Sequence, residues 1–527
     1  MRLEKICRIL ALLLALVLLS GCAFGGFTSL VHYSDMEYIR PDLDQLDALL
    51  DQAEKAAGEA DFDGTIDAIY SFNDFYDSFY TCYALADIRY SGDLTDLYWS
   101  EEYDYCTANS AAVDAALEEL YYMLAASPLR EELEAEEYFG ADFFDSYEGE
   151  NNWDEGFVAL LDAEAELENR YYELAMTGKA YEGNAETYYD VCGAQMVDLM
   201  VELIALRQEI AAYWGYEDYV SFANDFYYYR DYTPEEIAAY LNDVRTELVA
   251  LYRQVCASDN WSMGHVYCSE EQTFAYLQQM AKAMGGNISK AFNIMKRAGL
   301  YDITYGENKY NSSFETYLTS YWEPFIFMNP TLTVYDQLTF AHEFGHFCND
   351  YVSYGSYVGI DVAEIFSQAM EYLSLQYAEN TEELTWLKLA DSLCVMVEQS
   401  AFADFEQRMY ALEGENLTAE NLRSLYEEVV LEYGFDAVGY SDWEFVTINH
   451  FYTNPMYVIS YVVSNDAALQ IYRMELEEKG AGLSCLERNL DTQAYYFLEF
   501  LDEAGLESPF AGESVKQIRQ TLEDALR

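Results

Sequence analysis

The stretch TFAHEFGHFCND, residues 339–350, holds two of the five histidines in a chain of 527 residues. His342 and His346 lie four positions apart, and Glu343 directly follows the first of them. On a helix this spacing puts both imidazoles on one face, where their nitrogens can bind one metal ion about 2 Å from each. Glu343 lies about 100° around the helix, so its carboxylate can reach a water on the metal without being a ligand. The stretch therefore predicts a zinc hydrolase site with Glu343 as the general base.

The residues just before this stretch predict how its helix begins and what precedes it. Asn329-Pro330 ends the preceding element, and Thr333 with Asp336 three residues later resembles a capping box. Pro324–Met328 (PFIFM) is the best strand candidate in a chain with few strand signals, and SSFETYLTSYW before it is a possible partner.

A second helix supplies the candidate for the third ligand that a catalytic zinc needs. The stretch GIDVAEIFSQAMEYLSLQY, residues 359–377, follows the first helix after a loop of about nine residues, which predicts two antiparallel helices. Its polar residues share one face at spacings of three and four: Asp361, Glu364, Ser367, Gln368 and Glu371. Glu364 would lie beside the histidines, and the polar groups at 361, 368 and 371 could orient the ligands. A solvated polar face is the alternative reading.

The two motifs AHEFGHF and DVAEIFSQAMEYL together resemble the M3 family of zinc metallopeptidases, the group of oligoendopeptidase F and thimet oligopeptidase. The resemblance implies one zinc ion per chain, bound by His342, His346 and Glu364, with Glu343 as the base. It also implies a mainly α fold: a zincin-type catalytic core with a small β-sheet, and two helical lobes around a substrate channel. Such a channel admits short unstructured peptides and excludes folded proteins.

The C-terminal stretch INHFYTNPMYVISYVVSNDAA, residues 448–468, resembles the family's segment in which a histidine precedes several tyrosines. It implies that His450, Tyr457 and Tyr461 donate hydrogen bonds to the substrate carbonyl and the tetrahedral intermediate. The family's flexible glycine-rich stretch is replaced here by YTNP, so Pro455 is expected to stiffen the segment. Substrate backbone could align on a strand by β-augmentation, for which we choose Phe325–Met328.

The first 22 residues form a segment distinct from the rest of the chain. Three basic residues precede the apolar run ALLLALVLLS, as in an export signal, and the run ends in Leu19-Ser20-Gly21-Cys22, which resembles a bacterial lipobox. We expect Cys22 to be lipidated and the protein to lie on the extracytoplasmic face of the cell membrane, held by its lipid alone. An ordinary signal peptide with a chance cysteine is the alternative. The predicted divisions are a signal (1–21), a tether (22–35), an N-terminal helical lobe (36–200) and a catalytic domain (201–527).

The net charge limits which binding partners are possible, and the cysteine pattern bears on disulfide formation. With 27 basic and 95 acidic residues the formal net charge is −68, which excludes nucleic acid and acidic membrane surfaces as partners. The acidity could favour cationic partners, or could simply solvate the surface. The eight cysteines after Cys22 are scattered singly, so free thiols and disulfides both remain open.

These features predict zinc-dependent hydrolysis of peptide bonds in short peptides by a lipid-anchored metalloendopeptidase. A lipid-anchored protein that binds peptides without turnover is the main alternative. An inactive relative, or a zinc hydrolase of other amides, is a further possibility. Cleavage specificity, action inside a peptide or at its ends, and oligomeric state are left open by the sequence.

Overall fold

The computed structural model describes residues 31–135, 138–147, 155–181 and 183–526. The predicted signal, Cys22 and most of the predicted tether lie outside these residues. Within them, helices of eight or more residues are numbered in chain order: α1 (Gln45–Gly58), α2 (Phe62–Gly92), α3 (Leu97–Ala125), α4 (Glu155–Gly178), α5 (Ala194–Tyr213), α6 (Tyr219–Phe226), α7 (Pro234–Cys256), α8 (Glu270–Met284), α9 (Gly286–Ala298), α10 (Tyr335–Ser353), α11 (Ile360–Ser374), α12 (Thr381–Met409), α13 (Ala419–Glu432), α14 (Ile459–Glu477), α15 (Ala481–Asn489), α16 (Phe497–Ala504) and α17 (Ser514–Leu526). Single helical turns at Arg130–Leu133, Ala185–Tyr188 and His450–Thr453 lie between them.

The apolar core falls into two clusters. One is built from α1, α2, α3 and the residues up to Tyr147, and the other mostly from residues 157 onward, together with Met36. Helix α2 contributes to both, with Phe72 and Phe79 in the first cluster and Leu85 and Ile88 in the second. A mainly α fold of two helical lobes with a small sheet is therefore confirmed. The placing of the domain boundary at residue 200 stays a prediction.

The sheet has three strands, β1 (Tyr301–Asp302), β2 (Ser313–Leu318) and β3 (Glu323–Met328), in the order β1-β3-β2. The predicted strand pair is confirmed: β2 and β3 are antiparallel, with Phe314 opposite Phe327. The choice of Phe325–Met328 for β-augmentation is wrong. Strand β3 lies between β1 and β2 and is buried from Pro324 to Met328, so its hydrogen-bonding edges are already used. The edge strand beside α10 is β2.

Two helix starts differ in how they form. Thr233 caps α7 with a complete capping box to Glu236, and Pro234 is the first helical residue. At α10 only the acidic half of the box forms: the Thr333 backbone N–H donates to Asp336 Oδ2 at 3.2 Å, while the Thr333 hydroxyl pairs with the hydroxyl of Thr331 at 2.8 Å. The helix still begins at Tyr335, two residues after Thr333.

Two further features concern the thiol groups of the cysteines and the apolar character of the helices. All eight cysteines from Cys82 to Cys485 carry free thiols, and most are buried. Across the described ranges, no helix combines the length and the apolar character that crossing a bilayer requires.

Candidate metal centre and active site

Three side chains from α10 and α11 converge on one point. His342, His346 and Glu364 each offer one ligand atom, and these atoms lie within 4.8 Å of one another. His342 Nε2 and Glu364 Oε2 are 3.6 Å apart. Tetrahedral zinc with bonds of about 2.0–2.1 Å separates its ligands by roughly 3.4 Å, so two imidazoles and a carboxylate at this spacing fit a zinc ion and leave a fourth position open.

A glycine lets the two helices come close enough to form this arrangement. Gly345 lies between the histidines, and a Cβ placed on it would be 2.5 Å from Phe366 O and 2.5 Å from Ser367 Cα. The backbones of α10 and α11 therefore touch at this residue. Because Glu364 is one turn from the contact, its carboxylate is carried beside the imidazoles.

The predicted ligand His342 is held by a buried ion pair on the side away from Glu364. Its Nδ1 lies 2.9 Å from Glu371 Oε1, and Glu371 Oε2 lies 2.7 Å from the ammonium of Lys388 on α12. Burial opposes the charged form of Glu371, but Lys388 and His342 outweigh it and lower the pKa of the carboxyl. The pair fixes the imidazole so that Nε2 faces Glu364, as outer partners of metal ligands do.

The other two predicted supporting residues contact neighbouring segments of the chain instead of the ligands. Asp361 accepts a hydrogen bond from Tyr232 at 2.7 Å and lies 3.5 Å from the buried Arg230, while Gln368 donates to Ser464 at 2.9 Å. They therefore fix α11 against its surroundings. Glu364 itself accepts a hydrogen bond from Ser367 at 3.2 Å.

The predicted base, Glu343, lies against the edge strand. Its Oε1 accepts a hydrogen bond of 2.7 Å from the hydroxyl of Ser313, the first residue of β2. Burial raises the pKa of Glu343, and the nearby His342 and Ser313 act in the opposite direction. The two histidines differ: burial, together with His342, lowers the pKa of His346 to about 3, whereas burial of His342 is outweighed by its hydrogen bond to Glu371 and by nearby carboxylates, which raise its pKa to about 9.

The predicted donors form a second group. The ring of His450 lies 5.3 Å from that of Tyr457 and 6.0 Å from that of Tyr461, and the two tyrosine rings are 5.2 Å apart. Burial and the charge of Glu364 raise the pKa of both phenols, that of Tyr461 to about 12. Burial lowers the pKa of His450. At neutral pH the group therefore offers uncharged hydrogen-bond donors close to Glu364, a predicted metal ligand.

Sequence reasoning missed Lys388, Ser313 and Arg230. Each is separated from its partner by 17 or more positions, and Ser313 lies in a strand whose sequence pattern predicts its pairing but not a contact with Glu343. One of the three could have been found from the sequence: Lys388 is a lysine inside the apolar run TWLKLADSL, which indicates a buried charge that needs a partner.

Two family models match the chain. The family model "Peptidase M3 N-terminal domain" matches residues 33–152, and "Peptidase family M3" matches residues 291–490, which include all seven predicted ligand, base and donor residues. No curated protein matches the chain.

Solved structures share the fold. A putative oligoendopeptidase F is 21% identical with a TM-score of 0.77, covering 94% of this chain and 98% of its own. PZ peptidase A with an inhibitor is 20% identical with a TM-score of 0.77, covering 93% and 99%. A putative oligoendopeptidase F from Bacillus anthracis str. Ames is 21% identical with a TM-score of 0.75, covering 94% and 98%.

Proposed function

The chain belongs to peptidase family M3, and from that premise we propose that it hydrolyses peptide bonds in short unstructured peptides with one zinc ion per chain. The observation that carries the proposal is the convergence of His342, His346 and Glu364 within 4.8 Å, with Glu343 on the same helix. This convergence lies inside the range that the family model matches.

The chain's own residues divide the chemistry among them. When bound, zinc supplies Lewis-acid polarisation of the scissile carbonyl and a more acidic water. Glu343 accepts the proton of the attacking water and passes it to the leaving amine. Ser313 keeps Oε1 of Glu343 in place through its 2.7 Å hydrogen bond, which leaves Oε2 for the proton.

Charge that develops on the substrate oxygen needs donors that are already oriented. His450, Tyr457 and Tyr461 supply them, because their rings lie within 6.0 Å of one another and their protons are retained at neutral pH. The substrate backbone aligns along β2, the edge strand whose first residue touches the base.

The test compares the zinc-loaded wild type with Glu343→Gln on a mixture of peptides of graded length, read by mass spectrometry. The variant keeps every ligand, so it should bind one zinc per chain and lose turnover by about 10³-fold. Turnover near the wild-type rate would remove Glu343 from its role. Peptide binding without turnover by the zinc-loaded wild type would instead indicate a peptide-binding protein. The product masses also separate cleavage inside a peptide from trimming of its ends.

The location of the protein is part of the same proposal. The lipobox-like Leu19-Ser20-Gly21-Cys22 supports an exported lipoprotein whose chain begins at a lipidated Cys22. Metabolic labelling with a fatty acid should mark the wild type and not Cys22→Ser. A wild-type protein that takes up no label would refute the anchor without touching the peptidase proposal.

A further inference from the structure

The segment between the predicted donors is held on several sides by buried side chains. It runs from His450 to Tyr457 and includes the stretch YTNP, where a flexible connection would let the donors move. His450 and Tyr457 are half-buried at its ends, while Phe451, Tyr452 and Met456 are 0%, 0% and 1% exposed. The ends of the segment thus meet the active site and its middle is anchored in the core.

Arg207 of α5 fixes the first half of the segment. Its guanidinium is fully buried and donates to the carbonyl oxygen of Phe451 at 2.8 Å and to that of Tyr452. The same group donates to Glu164 Oε1 at 2.6 Å, which compensates its charge. Two adjacent carbonyls on one planar guanidinium fix both position and direction of the turn that carries His450.

Tyr228 and Glu406 fix the second half. The Tyr228 hydroxyl donates to the carbonyl oxygen of Pro455 at 2.8 Å, and Glu406 Oε1 accepts the backbone N–H of Met456 at 2.7 Å. Met456 has a φ of +65°, a left-handed conformation that a side chain other than glycine adopts only when its surroundings impose it. These two contacts hold the peptide bond between Pro455 and Met456, on the N-terminal side of the strained residue that directly precedes Tyr457.

From these contacts we propose that Arg207, Tyr228 and Glu406 are positioning residues that hold the 450–457 segment in one conformation, so that His450, Tyr457 and Tyr461 face the metal ligands before substrate arrives. The inference rests on the proposed function for the role of those donors. Arg207 and Tyr228 lie in residues 153–290, which neither family model matches. Donors that are fixed in advance need no reorganisation as charge develops on the substrate oxygen.

The central variant is Tyr228→Phe, which removes one hydroxyl and keeps the ring. Its matched control is Tyr105→Phe in the N-terminal lobe, because the Tyr105 hydroxyl also donates to a proline carbonyl, that of Pro41, at 2.8 Å. Both rings also have an arginine guanidinium over them, Arg230 for Tyr228 and Arg40 for Tyr105, so the two changes are chemically alike. Arg207 is a poor first choice, since its loss leaves Glu164 buried without a partner.

Two measurements are made on each zinc-loaded protein: kcat and KM on one peptide, and hydrogen–deuterium exchange of the amides at 451–457. For Tyr228→Phe we expect kcat to fall about tenfold or more with KM within about twofold, and exchange at 451–457 to rise. Tyr105→Phe should leave both measurements as in the wild type.

A second pair of variants keeps the proposal testable through a different contact. Burial raises the pKa of Glu406 to about 8, so its carboxyl is mostly protonated at pH 7 and Gln is a close substitute that retains the acceptor for Met456 N–H. Glu406→Gln should therefore keep the wild-type kcat and exchange, while Glu406→Ala should behave like Tyr228→Phe.

The proposal is overturned if Tyr228→Phe changes neither exchange nor kcat. It is equally overturned if exchange rises with kcat unchanged, or if kcat falls while exchange stays as in the wild type. A wild type that shows no turnover would refute the proposed function, and the exchange comparison between the two tyrosine variants would then decide alone whether the segment is held.

Discussion

Replacing Gly345 with alanine tests whether the close approach of α10 and α11 creates the metal site. The added Cβ would lie 2.5 Å from Phe366 O and from Ser367 Cα, both backbone atoms, whereas ordinary contact begins at 3.4 Å. The helices must therefore separate by roughly 0.9 Å at this point. Metal–ligand distances tolerate only about ±0.2 Å, so Glu364 can no longer meet both imidazoles at bonding distance. We expect zinc affinity to fall by tenfold or more, on the order of other changes that displace ligands.

The same substitution should lower the free energy of unfolding. Alanine in a helix interior is ordinarily better than glycine by about 1 kcal/mol. Overpacking of a core costs about 1–3 kcal/mol, and here the obstacle is backbone that cannot rotate away. The balance is a net loss of up to about 2 kcal/mol, in the direction opposite to helix propensity.

Two assays separate these effects. Competition with a chromophoric chelator measures zinc affinity, and thermal unfolding in excess chelator measures the melting temperature of the apoprotein. Gly92→Ala is the control, since the last residue of α2 has nothing within 4 Å of the added Cβ. If Gly345→Ala binds zinc as tightly as the wild type and its apoprotein melts at the wild-type temperature, the contact does not build the site.

Three further predictions concern charge. Lys388→Met leaves Glu371 without its cation, so zinc affinity in the chelator assay should fall about 10–100-fold, whereas Lys516→Met, which breaks an exposed pair with Glu513, should leave it unchanged. Burial raises the folded-state pKa of Asp350 above its unfolded value, so at intermediate pH the native state holds a proton that the unfolded chain has lost. The free energy of unfolding should therefore decline as pH rises from about 4 to 7. Calorimetry at pH 5 and pH 8 should show a smaller decline in this free energy for Asp350→Asn than for the wild type, and an equal decline would contradict the assignment. The net charge of −68 should give a lysine-flanked peptide a higher kcat/KM than its glutamate-flanked twin at 10 mM salt, and the gap should narrow at 100 mM because the screening length falls from about 30 Å to about 10 Å; twins cleaved equally at low salt would exclude steering.

Much of the site follows from the sequence because its geometry is local. One helical turn fixes the relative positions of His342, Glu343 and His346 whatever surrounds them. The polar face that carries Glu364 could also be placed, because a short loop between two amphipathic helices leaves few ways for them to pack. The pairing of the two strands before α10 followed from composition in the same way.

Other features were decided only when the chain folded. Which strand is central and which is an edge depends on sheet order, and β3 became central through the distant β1, so the strand chosen for substrate alignment was wrong. Lys388 meets Glu371, and Arg207 meets Phe451 and Tyr452, across separations that no local periodicity encodes. Pro455 suggested a stiff segment, yet most of what holds it comes from buried groups on other elements. Local spacing determined the positions of the predicted ligands and base, whereas long-range burial of charged and polar groups determined what orients them, because a buried polar group is stable only beside a partner that the whole fold brings to it.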